Sequence, residues 1–363
     1  MESTSHSIFS VETRGRVDRK GRLLRRLFDV VALAAVGLAA VAIGSNRTDR
    51  GAASGTLLNV SYDATRRIYD DVDRAFASEL QSVNGRRVSI KQSHGGSSSQ
   101  AKKVAEGLEA DVVTLALPTD IDFLSRSGLV AEDWAARLPN HSQPYSSTIV
   151  FVTRRGNPRH IADWPDLVRP GIGVVTPNPK TSGSGKLAFL AAWGSVIRRG
   201  GDERDAKAYV RDLYDHVVAL GSGAHATAIE FIEENVGDVL LAWENEALNQ
   251  ASTSAGELVV VVPPTSIRAE PRVAWVDACT ARHGSEELAR RYLEFLFTPA
   301  GQEILAEDGC RPLREDVLAK HSKRFGAVDL FPVELVAHSW ADAVEKFFGE
   351  GGVYDGIAPR RLP

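Results

Sequence analysis

The 363-residue chain has two cysteines, Cys279 and Cys310, and a single methionine. With so few thiols and no C-x-x-C pair, zinc ribbons, iron–sulfur clusters and disulfide-stapled scaffolds are excluded; one bridge or two free thiols both stay open. The nine histidines show no H-E-x-x-H or other metal spacing, so neither a metal nor a cofactor is expected. No G-x-S-x-G nucleophile elbow occurs, and no internal repeat or low-complexity tract. Basic charge is missing where nucleic acid would need it. Residues 1–55 carry nine Lys+Arg and five Asp+Glu, which leaves 34 against 42 in the rest, a net of −8. A net-acidic body argues against a nucleic-acid partner, and any anion site on it must work by local donors.

Long apolar runs are also scarce. The one that stands out, Val30 to Gly44, follows the basic stretch Arg14, Arg16, Arg19, Lys20, Arg22, Arg25 and Arg26 and precedes polar Ser45 to Arg50. Basic, apolar, polar is the order of a signal peptide, with Ala40-Val41-Ala42 as a small-residue cleavage site. Fifteen residues are short for a transmembrane helix, which needs about 17–25, and extending to Leu27 admits Asp29. Arg25-Arg26-Leu27-Phe28 is a partial twin-arginine pattern that Asp29 fits badly, and no cysteine follows the run to carry a lipid. Residues 1–55 are therefore a leader, either a cleaved signal or a retained membrane anchor, and the body faces the outside of the cytoplasmic membrane.

From Leu57 the body alternates short apolar strands with amphipathic helices. Strands are expected at 57–60, 88–90, 110–115, 147–153, 173–175, 217–219, 239–242 and 272–277. Helices are expected at 64–80, 98–107, 185–199 and 285–296, and another opens with Thr298 as N-cap and Pro299 in its first turn. The tail, roughly 313–363, has weaker periodicity and is expected to wrap the rest. This rhythm predicts an α/β fold with mostly parallel sheets, whose ligands bind where strands hand over to helices.

Four such turns are rich in Gly, Ser or small polar residues: 60–63 leading to Arg66, 93–99, 177–185, and 221–227. Glycine lets backbone N–H groups approach an anion closely, and the first turn of a helix offers free N–H groups and a favourable dipole. One turn alone is an ordinary cap; four at corresponding places point to a cage of neutral donors. Ser182-Gly183-Ser184-Gly185-Lys186 is not a phosphate loop, because Lys180 and Leu187 stand where Gly and Ser or Thr are required. His94-Gly95-Gly96-Ser97 is like an esterase oxyanion segment but lacks the elbow. No catalytic constellation emerges, so the protein is not expected to be an enzyme; a secreted serine hydrolase using Ser97 or Ser182 is the remote alternative.

Several strings resemble the periplasmic sulfate-binding proteins of ABC-type uptake systems, over nearly all of 56–355. They are Leu57 to Asp63, Ser93 to Ser97, Glu109 to Leu117, Thr176 to Gly183, Ala191 to Gly194 and Ala242 to Ala247. The resemblance implies a two-lobed, type II periplasmic-binding-protein fold, with the ligand in a cleft between lobes joined by crossing hinge strands. Its expected boundaries are 56–145 for the first part of lobe one, 146–265 for lobe two, and 266–363 for the return to lobe one and a C-terminal wrap. It implies backbone donors at Asp63 and Ser97 from one lobe, and from the other the Ser182 hydroxyl, N–H groups at Gly183, Ser184 and Ala224, and the Trp243 indole N–H. The Asp63 carboxylate is expected to lie to one side and organise its own loop. Sulfate would be the ligand and a membrane permease the partner, with a monomeric receptor; thiosulfate or another tetrahedral oxyanion such as molybdate is the alternative.

Three departures from that pattern stand out. The family has Gly-Gly-Ala-Arg where this chain has Gly183-Ser184-Gly185-Lys186. The family's Gly-Ala-Arg-Gly-Ala-Thr is Gly223-Ala224-His225-Ala226-Thr227, one residue shorter and without Arg. The long basic leader and the two cysteines are the third.

Overall fold

Two β-sheets carry the architecture, and the computed structural model describes residues 55–357 around them. The expected leader or anchor lies outside the described residues. Among those described, no helix is long and apolar enough to cross a membrane.

The first sheet is built from β1 (Gly55–Tyr62), β2 (Val88–Gly95), β3 (Val112–Leu115) and β11 (Arg272–Trp275), in the order β11-β3-β1-β2. β1 pairs in parallel with both β2 and β3, while β11 returns antiparallel to β3. Helices α1 (Arg66–Asn84), α2 (Ser97–Ala105) and α3 (Pro118–Arg126) follow the first three strands. Helix α1 buries Ile68, Tyr69, Val72, Phe76 and Leu80, a stripe at helical spacing. It runs past the expected end at Leu80 until Gly85, which adopts the left-handed conformation open to glycine. Strand β2 also exceeds its expected end. Its Lys91 to Gly95 stretch is polar because β2 is an edge strand with one side in solvent, yet it keeps register with β1 to Gly95.

The second sheet runs β7-β6-β8-β5-β9, from β5 (Ile149–Arg154), β6 (Val174–Pro177), β7 (Val217–Gly221), β8 (Val239–Trp243) and β9 (Leu258–Val261). The β6 pairings with β7 and β8 are parallel; those of β5 with β8 and β9 are antiparallel. Short strands link the layers: β4 (Tyr145–Ser146) with β12 (Arg311–Pro312), and β10 (Thr265–Ile267) with β13 (Asp329–Phe331).

Helix α4 (Gly183–Arg198) is buried from Gly183 to Ser195; its middle, Leu187 to Trp193, is apolar on all sides, while its start carries Ser184 and Lys186. It packs against α5 (Glu203–Asp215) and β10. Helices α6 (Ala224–Ile232) and α7 (Glu244–Thr253) follow β7 and β8. Helices α8 (Asp277–His283), α9 (Glu286–Phe295), α10 (Pro299–Glu307) and α11 (Glu315–Lys320) come after β11, and α12 (Trp340–Phe348) follows β13. Thr298 caps α10 by accepting from the Gly301 N–H at 3.1 Å, with Pro299 first in the helix, as expected. The C-terminal segment packs on α4 itself: Phe347 lies 4.9 Å from the Trp193 ring and 5.7 Å from Phe189. Cys279 and Cys310 are both free and buried in separate clusters.

Candidate functional site

All four turns sit at strand-to-helix junctions. β1 passes through a single 3-10 turn, Asp63–Thr65, into α1. β2 reaches α2 through Gly96 alone. β6 reaches α4 through 178–182, with Ser182 as N-cap and its Oγ accepting from the Gly185 N–H at 3.4 Å. β7 reaches α6 through Ser222 and Gly223. The first N–H groups of α2, α4 and α6 have no acceptor within their own helices, and each helix dipole places partial positive charge there.

Glycine lets these turns meet. A Cβ on Gly183 would lie 2.6 Å from the Ala116 Cβ and 3.2 Å from the Ser97 Cβ. One on Gly96 would collide with the Thr181 carbonyl, and one on Gly223 with the Asp63 carboxylate. Hydrogen bonds tie the turns further: Thr181 Oγ1 donates to the Ser222 carbonyl at 2.8 Å, the Asn178 N–H to Gly221 at 2.8 Å, and Ser99 Oγ to Thr181 at 3.3 Å. Trp243 closes the arrangement from the end of β8, its ring 4.9 Å from Tyr62, and the Asn245 amide donates to the Ala64 carbonyl at 2.7 Å. The seven residues singled out in the sequence thus gather around one locus: Asp63 beside Gly223 and Ala224, Ser97 beside Gly183, and Ser182 capping the helix whose Ser184 touches Trp243.

One expectation changes. The Trp243 indole N–H does not stand free; it donates to Ser184 Oγ at 2.5 Å. Where the resembling family has glycine, this chain has a hydroxyl, and a buried donor takes the acceptor within reach. The Asp63 carboxylate does hold its own loop, accepting from Arg66 at 3.1 Å, but its other oxygen also packs on the fourth turn.

Two charged residues to which the sequence assigned no role stand at the site. Asp120, in the first turn of α3, accepts from Ser97 Oγ at 2.5 Å and Ser98 Oγ at 2.9 Å, while Ser97 Oγ accepts from the Ala116 N–H at 2.9 Å. Lys186, only 6% exposed, donates to Ser98 Oγ at 2.7 Å. A buried carboxylate and a buried ammonium therefore share a serine behind the second and third turns, so the locus is neutral in its immediate donors but not in its backing. Helix α3 is short and buries only Asp120, Ile121 and Leu124, too little for its periodicity to show; Pro118 was the available signal. Lys186 was visible only as the end of a failed phosphate loop. An open cleft of about 850 Å³, bounded by α2, α3, α4 and α12, borders this network and shares Ser98, Asp120 and Lys186 with it.

Nearby titration is shifted by burial. His94, whose Nδ1 is 2.7 Å from Ser61 Oγ, is pushed down from 6.5 to about 4 by burial and by Arg66, against the opposing pull of Asp63. Glu246 is pushed up from 4.5 to about 7 by burial and then by Asp63. Glu244, next to Trp243 and 1% exposed, is held by Arg311 through two bonds of 2.6 and 2.7 Å, which fix the start of α7.

Residues 57–311 match the family model described as bacterial extracellular solute-binding protein. The sulfate-binding protein of Escherichia coli (strain K12) is 44% identical over 306 residues, covering 84% of this chain and 93% of that protein. The thiosulfate-binding protein of Pseudomonas aeruginosa is 43% identical over 336 residues, covering 92% and 99%. Among solved structures, the sulfate-binding protein SubI from Mycobacterium tuberculosis H37Rv superposes with a TM-score of 0.74 at 30% identity, covering 81% of this chain and 99% of that one. With its two-sheet α/β fold and a match of this extent, the chain belongs to the bacterial extracellular solute-binding protein family.

Proposed function

We propose that the protein is an extracytoplasmic receptor that captures sulfate and delivers it to an ABC-type importer. The observation that carries this reading is the meeting of three helix N-termini and the Asp63 turn at one buried locus, where the nearest donors are neutral. The ligand-binding residues in this reading are Asp63, Ser97, Ser182, Gly183, Ser184 and Ala224, with Trp243 lining the site through its bond to Ser184. The lobes are 56–145 and 146–265, with 266–363 returning to lobe one and ending in a wrap. Because donors come from both lobes, the ligand favours the closed form. The receptor works as a monomer against a membrane permease, and residues 1–55 either direct export or tether it to the membrane.

Sulfate near neutral pH is a dianion with no proton to give, so donors alone satisfy it. Hydrogen phosphate would bring a proton that backbone N–H groups cannot accept, a penalty of about 1–3 kcal/mol. A hydrolase is disfavoured because Ser97 Oγ is committed to Asp120 and Ser182 Oγ to the Gly185 N–H; among the described residues neither bonds an imidazole. Thiosulfate is the second reading, favoured by the 43% identity to a thiosulfate-binding protein. Isothermal calorimetry of the chain with sulfate, thiosulfate, molybdate and phosphate tests all of this. Sulfate or thiosulfate should bind with phosphate at least tenfold weaker; no heat with any anion would sink the receptor, and equal phosphate affinity would sink the donor argument.

A further inference from the structure

Resting on the receptor reading above, we infer that Ser184, not Trp243, presents the donor to the bound dianion, with the indole standing behind it as a positioning residue. Trp243 is 0% exposed and its indole N–H donates to Ser184 Oγ at 2.5 Å. Indole nitrogen has one proton and accepts nothing, so in this bond the serine oxygen is necessarily the acceptor. The serine proton is thereby left for another partner, and among the described residues none accepts it. Ser184 is itself 5% exposed. A buried hydroxyl that has taken a donor on one side and has an unspent proton on the other is matched by an anion. Polarisation runs the same way, since accepting from the indole strengthens the hydroxyl as a donor.

The neighbouring geometry agrees. Ser184 is the second residue of α4, so its own N–H, the Gly183 N–H and its hydroxyl all belong to the first helical turn. Its oxygen also fills the space between indole and anion that a glycine would leave. Without the hydroxyl the indole N–H would be freed toward the anion; with serine it is spent on the hydroxyl. The protein has therefore inserted one atom into the donor chain.

The test is a calorimetric comparison of sulfate binding by the full-length parent, Ser184→Ala, Ser184→Gly, Trp243→Phe and the double variant Ser184→Gly/Trp243→Phe. Ser184→Ala removes the relay while its methyl still blocks the indole, and should weaken binding about 10-fold or more, as for one lost donor to a charged group. Ser184→Gly should stay within a few-fold of the parent, because the indole then takes over. Trp243→Phe should weaken binding a few-fold in the parent, where it costs the Ser184 hydroxyl its positioning and polarisation, and about 10-fold or more in the Ser184→Gly background, where the indole is itself the donor. An independent readout is the Trp243 indole ¹H–¹⁵N resonance. Sulfate should shift it slightly in the parent and strongly in Ser184→Gly. An equal effect of Trp243→Phe in both backgrounds, or parent-like binding by Ser184→Ala, would overturn the relay. Absence of sulfate binding by the parent would overturn the receptor reading on which it rests.

Discussion

Gly183→Ala separates the packing of the turns from the stability of the fold. The added Cβ would lie 2.6 Å from the Ala116 Cβ and 3.2 Å from the Ser97 Cβ. Carbon atoms in contact rest about 3.5–4.0 Å apart, so the third turn must retreat by roughly 1 Å from Ala116, just after β3, and by about half that from Ser97 in the second turn. Overpacking of this kind costs about 1–3 kcal/mol, which becomes about a 5- to 150-fold loss of sulfate affinity if the strain is felt only when the turns are together. The backbone itself does not resist, because Gly183 opens α4 without a left-handed φ and alanine is the better helix former. The expected signature is therefore split: weaker binding by calorimetry, with an unchanged or slightly raised melting temperature in the absence of anion. Gly356→Ala, with no atom within 4 Å of the new Cβ, is the neutral control. Unchanged sulfate affinity in Gly183→Ala would refute the idea that these two turns close on a common ligand.

Arg311→Ala leaves the buried Glu244 carboxylate without its two-pronged partner and should cost about 3–5 kcal/mol in urea unfolding, with Arg311→Lys recovering only part; a loss under about 1 kcal/mol would mean the pair is dispensable. Phe347→Ala should cost about 3–5 kcal/mol, because the C-terminal helix is part of the α4 core, whereas a dangling tail would show almost no change. His94 contributes a stability term that is complete above pH 6.5 and lost as the pH falls toward 4, since the unfolded chain takes up a proton there that the native ring refuses. The melting temperature of His94→Gln should fall less over that interval than the parent's, and parallel curves would exclude the assignment.

The sequence by itself determined eight of the nine strands of the two main sheets and the chemistry of the turns after them, but not β9 or the helices α3, α5, α7, α8, α11 and α12. Ser182 was legible as a turn serine but not as the cap of α4, whereas small residues at 96, 183 and 223 and the cap at Thr298 act within a few residues of chain, so local pattern reveals them. It missed α3 because so short a helix buries too little to show a period, and it cut β2 short because an edge strand need not be apolar. Which side chain meets which was decided by the tertiary structure. Ser184 and Trp243 are 59 residues apart, and Ser98 and Lys186 are 88 apart. Only the packing of α4 between its sheet, the first lobe's turns and the C-terminal helix brings each pair to hydrogen-bonding distance. The reason is physical: a helix start advertises free donors locally, but whether an indole spends its proton on a ligand or on a serine depends on a few tenths of a nanometre set by the approach of elements remote in the chain.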